Sequence, residues 1–176
     1  EAQEETLRML DVYKDFAETE MAIPVLTGKK RMTEKFAGAL ASYSIEAMMG
    51  DTRALQAGTS HYFGQQFSRA FGIQFLNKDN ELEYAYQTSW GVSTRLVGAL
   101  VMVHGDDQGL MMPPRLAPTQ VVIVPIWRSD DQKGKVLEAT DQIRRQLAGR
   151  FRIVVDDREE YSPGWKFNEW EMKGIP

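Results

Sequence analysis

The 176-residue sequence contains no cysteine and only two histidines. The absence of cysteine excludes a disulfide framework, a thiol nucleophile and a zinc site held by thiolates within these residues. Two histidines also argue against an imidazole metal cage. Chemistry in this chain is therefore expected to depend on other polar side chains.

Long apolar runs are missing as well. No stretch approaches the roughly 20 consecutive apolar residues that a membrane-spanning helix needs. Residues 1–5 are acidic, whereas a signal peptide begins with basic and then apolar residues. We therefore expect a cytoplasmic protein with no membrane partner.

The sequence also lacks an excess of positive charge, since its formal net charge is −4. A surface that binds nucleic acid nonspecifically is usually basic, so any contact with RNA is expected to be local and specific. With 43% hydrophobic and 26% charged residues, the composition is typical of a globular protein with room for one domain and part of another.

Hydrophobic periodicity divides the chain into two parts. The first part contains strands and helices in an order that favours an antiparallel sheet. Helices are predicted over 3–20, 65–71 and 93–104, strands over 41–47 and 81–90, and a strand end and loop over 56–64. Alternation predicts that Ala41–Ala47 has one dry and one polar face, which suits the floor of a binding cleft.

The part beyond Pro118 follows a different pattern. Apolar runs at 121–126 and 151–155 flank a helical pattern at 136–147, which predicts a βαβ unit with strands buried on both faces. Ser162 and Pro163 predict the start of a further helix, and Gly174 its end. We therefore expect two domains, 1–117 and 118–176, and an α+β fold.

Two polar segments containing glycine are candidate sites, namely 56–61 and 88–95. Arg95 follows a predicted strand and begins a helix, where backbone N–H groups and a guanidinium could hold phosphate oxygens. The alternative is that Arg95 pairs with Asp106 or Glu46. For His61, the residues alone favour a hydrogen-bonded structural role under a loop over a functional role.

Two further features are weaker. Asp106 and Asp107 lie in a glycine-flanked loop that lacks the spaced ligands and closing glutamate of a calcium-binding EF-hand, so we reject calcium. Trp165, Phe167 and Trp170 could stack on bases, although aromatic residues at helical spacing more often belong to a core.

Five segments resemble the prolyl-tRNA synthetase family, of the archaeal and eukaryotic-like type. They are in family order and cover most of the chain: EKFAGA at 34–39, LQAGTSHYFG at 55–64, TSWGVSTR at 88–95, HGDDQGLMMPPRLAP at 104–118 and DDREEYSPGWKFNEWEMKGIP at 156–176. The resemblance implies a class II synthetase with an antiparallel catalytic sheet and flanking helices, followed by the start of an α/β anticodon-binding domain, in a homodimer.

The resemblance also implies roles for single residues. Residues 90–95 correspond to the third class II signature motif, in which Arg95 is catalytic and contacts the ATP phosphates, with Ser93 against the nucleotide. Gln56 and Thr59 match positions that contact ATP, and Gln56 also lies near Mg²⁺. His61 matches a position in the proline pocket, with Trp90 and Gly91 as its walls. Arg158, Lys166 and Glu169 would face the tRNA anticodon.

The implied activity is that of an aminoacyl-tRNA ligase, which forms prolyl-adenylate from proline and ATP and transfers proline to tRNA(Pro). Other motifs of this family would precede residue 1, so we expect a segment of a longer enzyme that is inactive alone. Gln108 stands where the family commonly has a basic residue. The alternatives are an inactive synthetase-like tRNA-binding protein, or a class II synthetase for another amino acid such as threonine or glycine.

Overall fold

The computed structural model describes residues 1–176, which divide into two compact units, Glu1–Val103 and His104–Pro176. The division follows chain contacts, whereas the boundary expected at 117/118 follows sequence pattern and stays a prediction. No helix is both long and apolar enough to cross a membrane.

The first unit is built around a four-stranded antiparallel sheet of order β1-β2-β3-β6. Its strands are β1 (Leu26–Lys29), β2 (Ala41–Met48), β3 (Ala54–Gly64) and β6 (Gln87–Gly91). Its helices are α1 (Ala2–Asp15), which continues as a π-helical turn over Phe16–Glu20, α2 (Gln66–Phe71) and α3 (Arg95–His104). A short hairpin of β4 (Gln74–Leu76) and β5 (Leu82–Tyr84) precedes β6.

Helix α1 packs on one face of this sheet. The buried Ser60 hydroxyl donates to the carbonyl oxygen of Thr6 at 2.7 Å. A Cβ atom at Gly58 would lie 3.1 Å from a Val92 methyl carbon and 3.4 Å from the Tyr13 ring, so glycine permits the helix and sheet to approach closely. The helix predicted over 3–20 is confirmed. Val12 and Phe16 are exposed, because a neighbouring stripe that includes Thr6, Leu10 and Ala17 faces the sheet.

Two predictions for the sheet need correction. Residues 56–64, expected to include a loop, are entirely strand and belong to the 11-residue β3. The segment 81–90 is two strands in two different sheets, since β5 pairs with β4 while β6 pairs with β3. Asn77 stabilises the turn before β5, because its side-chain oxygen accepts from the backbone N–H groups of Asp79 and Glu81.

The second unit contains the predicted βαβ arrangement. Strands β9 (Val121–Ile123) and β10 (Ile153–Val155) pair in parallel, with α4 (Asp130–Leu147) between them in the chain. Both strands are only half-buried, so the expectation of burial on both faces is wrong for this chain. A hairpin of β7 (Gly105–Asp106) and β8 (Gly109–Leu110) precedes them.

Helix α5 (Pro163–Met172) confirms the predicted start and stop signals. The Ser162 side chain caps the helix by accepting from the Trp165 backbone N–H, and Pro163 occupies the first turn. Gly174 adopts a left-handed conformation just after the helix, with φ of 73°. The chain turns after Pro113, whose carbonyl oxygen accepts from the N–H groups of Leu116 and Ala117.

Candidate functional site

A β-bulge in β3 brings three of the predicted site residues to one face of the sheet. Ile45 pairs with Gly58, whereas Glu46 pairs with Gln56, so Ala57 is an extra residue. In a regular strand Gln56 would lie on the face opposite Thr59 and His61, because side chains alternate. The bulge removes this difference, and all three side chains lie on the face opposite α1, which we call the polar face.

Neighbouring strands add to the polar face through their register. Ser42 pairs with His61 and Ser44 pairs with Thr59 on one side, while Ser89 and Gly91 pair with the same two residues on the other. Trp90 pairs with Ser60, whose side chain is directed toward α1, so the register places Trp90 on the opposite face from His61.

Arg95 lies at the start of α3 and reaches back to β3. One of its terminal nitrogens donates to the carbonyl oxygen of Gln56 at 3.1 Å, and its backbone N–H donates to the Ser93 hydroxyl at 3.3 Å. The alternative pairing is not found. Glu46 lies 3.7 Å from Lys30 and accepts from Ser44, while Asp106 accepts from the backbone of its own loop. Arg95 is exposed and is therefore tethered without being neutralised.

One cavity of about 300 Å³ collects these groups. All seven residues predicted to bind ATP or proline line it: Gln56, Thr59, His61, Trp90, Gly91, Ser93 and Arg95. The guanidinium of Arg95 gives the cavity a cationic donor suited to an anion. No group of three or more His, Asp or Glu side chains among residues 1–176 is placed to hold a metal ion.

His61 occupies a restrained position beside this cavity. Its Nδ1 lies 2.8 Å from the hydroxyl oxygen of Ser42, and its ring contacts both Phe36 and Phe63, with centroid distances of 5.2 and 6.0 Å. Burial lowers the pKa of His61, and the positive charge of Lys30 lowers it further. The imidazole is therefore held mainly in its neutral form near neutral pH.

Sequence reasoning assigned no individual role to Ser42, Ser89 or Phe36, although Ser42 lies in the predicted cleft floor and Ser89 in the candidate segment 88–95. Ser89 lines the cavity, and its alternation with Gly91 on β6 was the available signal. Phe36 lies in the segment 34–39, which carried the family resemblance without an assigned role. Gly38, in a left-handed conformation with φ of 86°, allows this loop to lie against the Phe67 ring, where a Cβ would come within 2.6 Å.

In the second unit, the three residues predicted to face an anticodon surround Asp156. Two nitrogens of the Arg158 guanidinium donate to the two carboxylate oxygens of Asp156, at 2.8 and 2.7 Å. The guanidinium also pairs with Glu169. Lys166 is buried, and its ammonium donates to the Asp156 carbonyl oxygen at 3.0 Å. The two carboxylates that pair with Arg158 are thus Asp156 and Glu169.

Asp156 is the centre of this network, and sequence reasoning missed it. Its carboxylate is buried and also accepts from the Trp170 indole N–H at 2.9 Å. The hydrogen bonds from Arg158, followed by that from Trp170, hold the pKa of Asp156 far below its usual range despite burial. Arg158 in turn lies over the stacked rings of Tyr161 and Trp165, whose centroids are 3.9 Å apart. Trp165 and Phe167 are both exposed, so the core interpretation is wrong for these two residues.

Comparisons with known proteins agree for both units. The family model described as "Anticodon binding domain" matches residues 120–176. Proline--tRNA ligase from Chloroflexus aurantiacus is 62% identical over 177 residues, which cover 100% of this chain and 37% of that protein. The ligase of the same name from Natranaerobius thermophilus is 60% identical over 176 residues, covering 100% and 36%.

A solved structure is similar over nearly the whole chain. It is prolyl-tRNA synthetase from Cryptosporidium parvum, complexed with L-proline and AMP. The TM-score is 0.87 at 41% identity, and the match covers 99% of this chain and 38% of that one. The chain thus spans a little over a third of the length of the relatives it matches. By sequence and by fold, residues 1–176 are similar to a segment of the proline–tRNA ligases, and residues 120–176 match the model of an anticodon-binding domain.

Proposed function

We propose that the full-length protein containing this chain is a proline–tRNA ligase, which activates proline with ATP and transfers it to tRNA(Pro). The observation that carries the proposal is the cavity in which residues 56, 59, 61, 93 and 95 meet. Relatives at about 60% identity bear this name, and the similar structure from Cryptosporidium parvum is a complex with L-proline and AMP. In this proposal, the four-stranded sheet is part of a class II catalytic sheet within residues 1–117.

The first reaction step joins the proline carboxylate to the α-phosphate of ATP, with release of pyrophosphate. Negative charge increases on the phosphoryl oxygens during this step, so the protein needs positioned donors more than a covalent nucleophile. Arg95 supplies a cation at the cavity, held in place by the Gln56 carbonyl. Ser93 and Thr59 lie against the nucleotide, and ATP arrives as its magnesium complex.

Magnesium fits this chain only as part of that complex. The described residues contain no carboxylate cage, and Mg²⁺ commonly keeps water and phosphate oxygens among its ligands. Gln56 is the residue proposed to lie near the ion. Charge neutralisation of the phosphates by Mg²⁺ would add to the effect of Arg95.

The second step transfers proline from the adenylate to the terminal ribose of tRNA, with release of AMP. His61 and the backbone near Gly91 border the proposed proline pocket. Trp90 is proposed as a wall of the same cavity. Because its register places its side chain on the other face of the sheet, its backbone is the part that lines the cavity. A hydrophobic pocket distinguishes a methylene by only about 1–3 kcal/mol, so polar contacts to the imino and carboxyl groups must add to selectivity.

Residues 118–176 are proposed to recognise the anticodon of the tRNA. Arg158 is partly exposed and lies beside the aromatic pair Tyr161–Trp165, which offers a surface for stacking. Glu169 accepts from Arg158 and orients it. Lys166 is buried, and its contribution is to hold the Asp156 segment that carries Arg158. The full-length enzyme is proposed to act as a cytoplasmic homodimer.

The proposal is tested by proline-dependent exchange between ATP and pyrophosphate, measured on the full-length protein. We expect exchange that requires proline and is not supported by threonine or glycine. Exchange with another amino acid would identify a different class II synthetase. Tight binding of tRNA without any exchange would instead identify an inactive synthetase-like protein.

A further inference from the structure

Ser42 is completely buried on the polar face and makes two hydrogen bonds at its hydroxyl oxygen. The backbone N–H of Phe36 donates to this oxygen at 3.1 Å. The other partner, at 2.8 Å, is Nδ1 of His61. Because a backbone N–H can only donate, Ser42 must be the acceptor in the first of these bonds.

The direction of the second bond follows from the hydroxyl proton. A buried hydroxyl that donates to nothing leaves an unsatisfied polar group, which is costly. His61 Nδ1 is the one acceptor the structure places at this hydroxyl, so the proton of Ser42 points to Nδ1. Nδ1 must then be unprotonated, and the neutral ring carries its proton on Nε2.

We propose that Ser42 is a positioning residue that holds His61 as the Nε2–H tautomer, so that the substrate group facing His61 is an oxygen acceptor. The proposal rests on the proposed function and assigns the chemistry of one contact in its site. Nε2 has no partner within the chain, and His61 lines the cavity. Ser42 is thus expected to determine which polar group of proline His61 contacts.

Two neighbours support the same tautomer. Phe36 and Phe63 lie against the imidazole and restrict its rotation, so the ring cannot exchange its two nitrogens freely. The charge of Lys30 and the burial of the ring both disfavour a second proton, which would force Nδ1–H against the hydroxyl proton of Ser42.

The chemical consequence concerns the two polar groups of proline. Its protonated imino group has only N–H donors, which cannot pair with an Nε2–H donor. Its carboxylate, and the acyl oxygen of the adenylate that follows, are acceptors. A donor aimed at the acyl oxygen would also favour the transfer step, since negative charge increases on that oxygen when the ribose hydroxyl attacks.

The direct test is nitrogen NMR of the full-length protein labelled at histidine, with the His61 signal assigned by its loss in His61→Gln. We expect the shift pattern of the Nε2–H tautomer, and we expect it to persist when proline is added at saturation. A proton on Nδ1 in the free protein, or a switch to Nδ1–H on binding proline, would overturn the proposal. This measurement needs no substitution at Ser42.

The second test compares Ser42→Ala with Ser60→Ala. Both serines are fully buried in the same sheet and each donates one hydrogen bond, but Ser60 faces α1. We expect Ser42→Ala to convert His61 to a mixture of tautomers and to raise the KM for proline by about tenfold, the loss of one positioned hydrogen bond. Ser60→Ala should leave both readouts unchanged. Equal effects of the two variants would assign Ser42 a purely structural role.

The tests separate this inference from the function on which it rests. If the protein catalyses no proline-dependent exchange, the function fails, while the tautomer of His61 in the free protein still decides the role of Ser42. If exchange is normal and the tautomer is Nδ1–H, the inference alone fails.

Discussion

Arg95 illustrates how one side chain is prepared for a charged ligand without being neutralised. A carbonyl oxygen of β3 holds one nitrogen of its guanidinium, and no carboxylate pairs with it. A neutral anchor keeps the positive charge available for phosphate oxygens, whereas a salt bridge would have to be broken on binding.

We therefore predict that Arg95→Ala lowers kcat for proline activation by about 100-fold to 1000-fold, the loss typical of a removed charge-stabilising donor. Pyrophosphate exchange measures the effect, and circular dichroism checks the fold. Arg53→Ala is the matched control, since Arg53 is exposed beside the same strand and pairs only with the exposed Asp51. Near-normal exchange by the Arg95 variant would refute the assigned role.

His61 contacts the part of the cavity proposed to hold the amino acid. We predict that His61→Ala raises the KM for proline by about tenfold while the KM for ATP changes little, because one hydrogen bond to proline is lost. Separate titrations of the two substrates provide the measurement. An equal rise in both values would show that His61 supports the cavity as a whole.

At the scale of elements, strand β3 shows what sequence could and could not provide. The polar residues at 56, 59 and 61 suggested a site through family resemblance, but their spacing does not fit one face of a regular strand. The β-bulge at residue 57 brings the three side chains to the same face. A bulge cannot be recognised from hydrophobic alternation, so the sequence did not predict it. The bounds of helix α5 could be predicted from sequence, because serine, proline and glycine determine its ends through local interactions.

The contacts of Ser42 and Asp156 could not be predicted for a different reason. Ser42 contacts His61, which is distant in sequence, and Asp156 contacts side chains of α5, which packs against the end of β10. Local sequence patterns do not predict such contacts. Lys166 is an example, because a lysine in a polar helix is normally exposed, yet its ammonium is buried against Asp156.

Asp156 connects the end of β10 to α5, and we predict that Asp156→Asn lowers the free energy of unfolding by about 3 kcal/mol. Removing the carboxylate leaves Lys166 buried without its compensating charge, and partial exposure of Arg158 keeps the loss near the low end of the usual range. Urea denaturation at neutral pH measures it. Asp157→Asn is the control, because the neighbouring Asp157 is exposed.

The same carboxylate predicts a pH dependence with a definite sign. Since folding lowers the pKa of Asp156, its contribution to stability is complete above the unfolded value of about 4 and is lost as the pH falls below it. Wild-type stability should therefore drop more steeply than that of Asp156→Asn between about pH 4 and the lower pKa of the folded state. Parallel slopes would contradict the role of Asp156.

At the scale of the whole molecule, the chain combines two units with different sheets. The first is antiparallel and carries the proposed chemistry, while the second has the parallel pair that matches an anticodon-binding domain. The sheets of each unit are formed by its own strands, and the units divide after Val103, whereas the change of pattern in the sequence lies near residue 118.

For the full-length protein we predict a homodimer. Sedimentation equilibrium should give twice the mass of one chain over a range of concentrations that includes those used for activity measurements. A monomeric mass together with full activity would contradict the proposed assembly.

The bulge and the extra residue in β3 depend on each other. With Ala57 removed, Gln56 would stand two positions from Thr59, so a regular strand would hold Gln56, Thr59 and His61 on the same face without a bulge. With Ala57 retained, regular pairing would instead turn Gln56 toward α1. A relative that lacks residue 57 can therefore keep the same groups at the cavity, because the extra residue and the bulge disappear together.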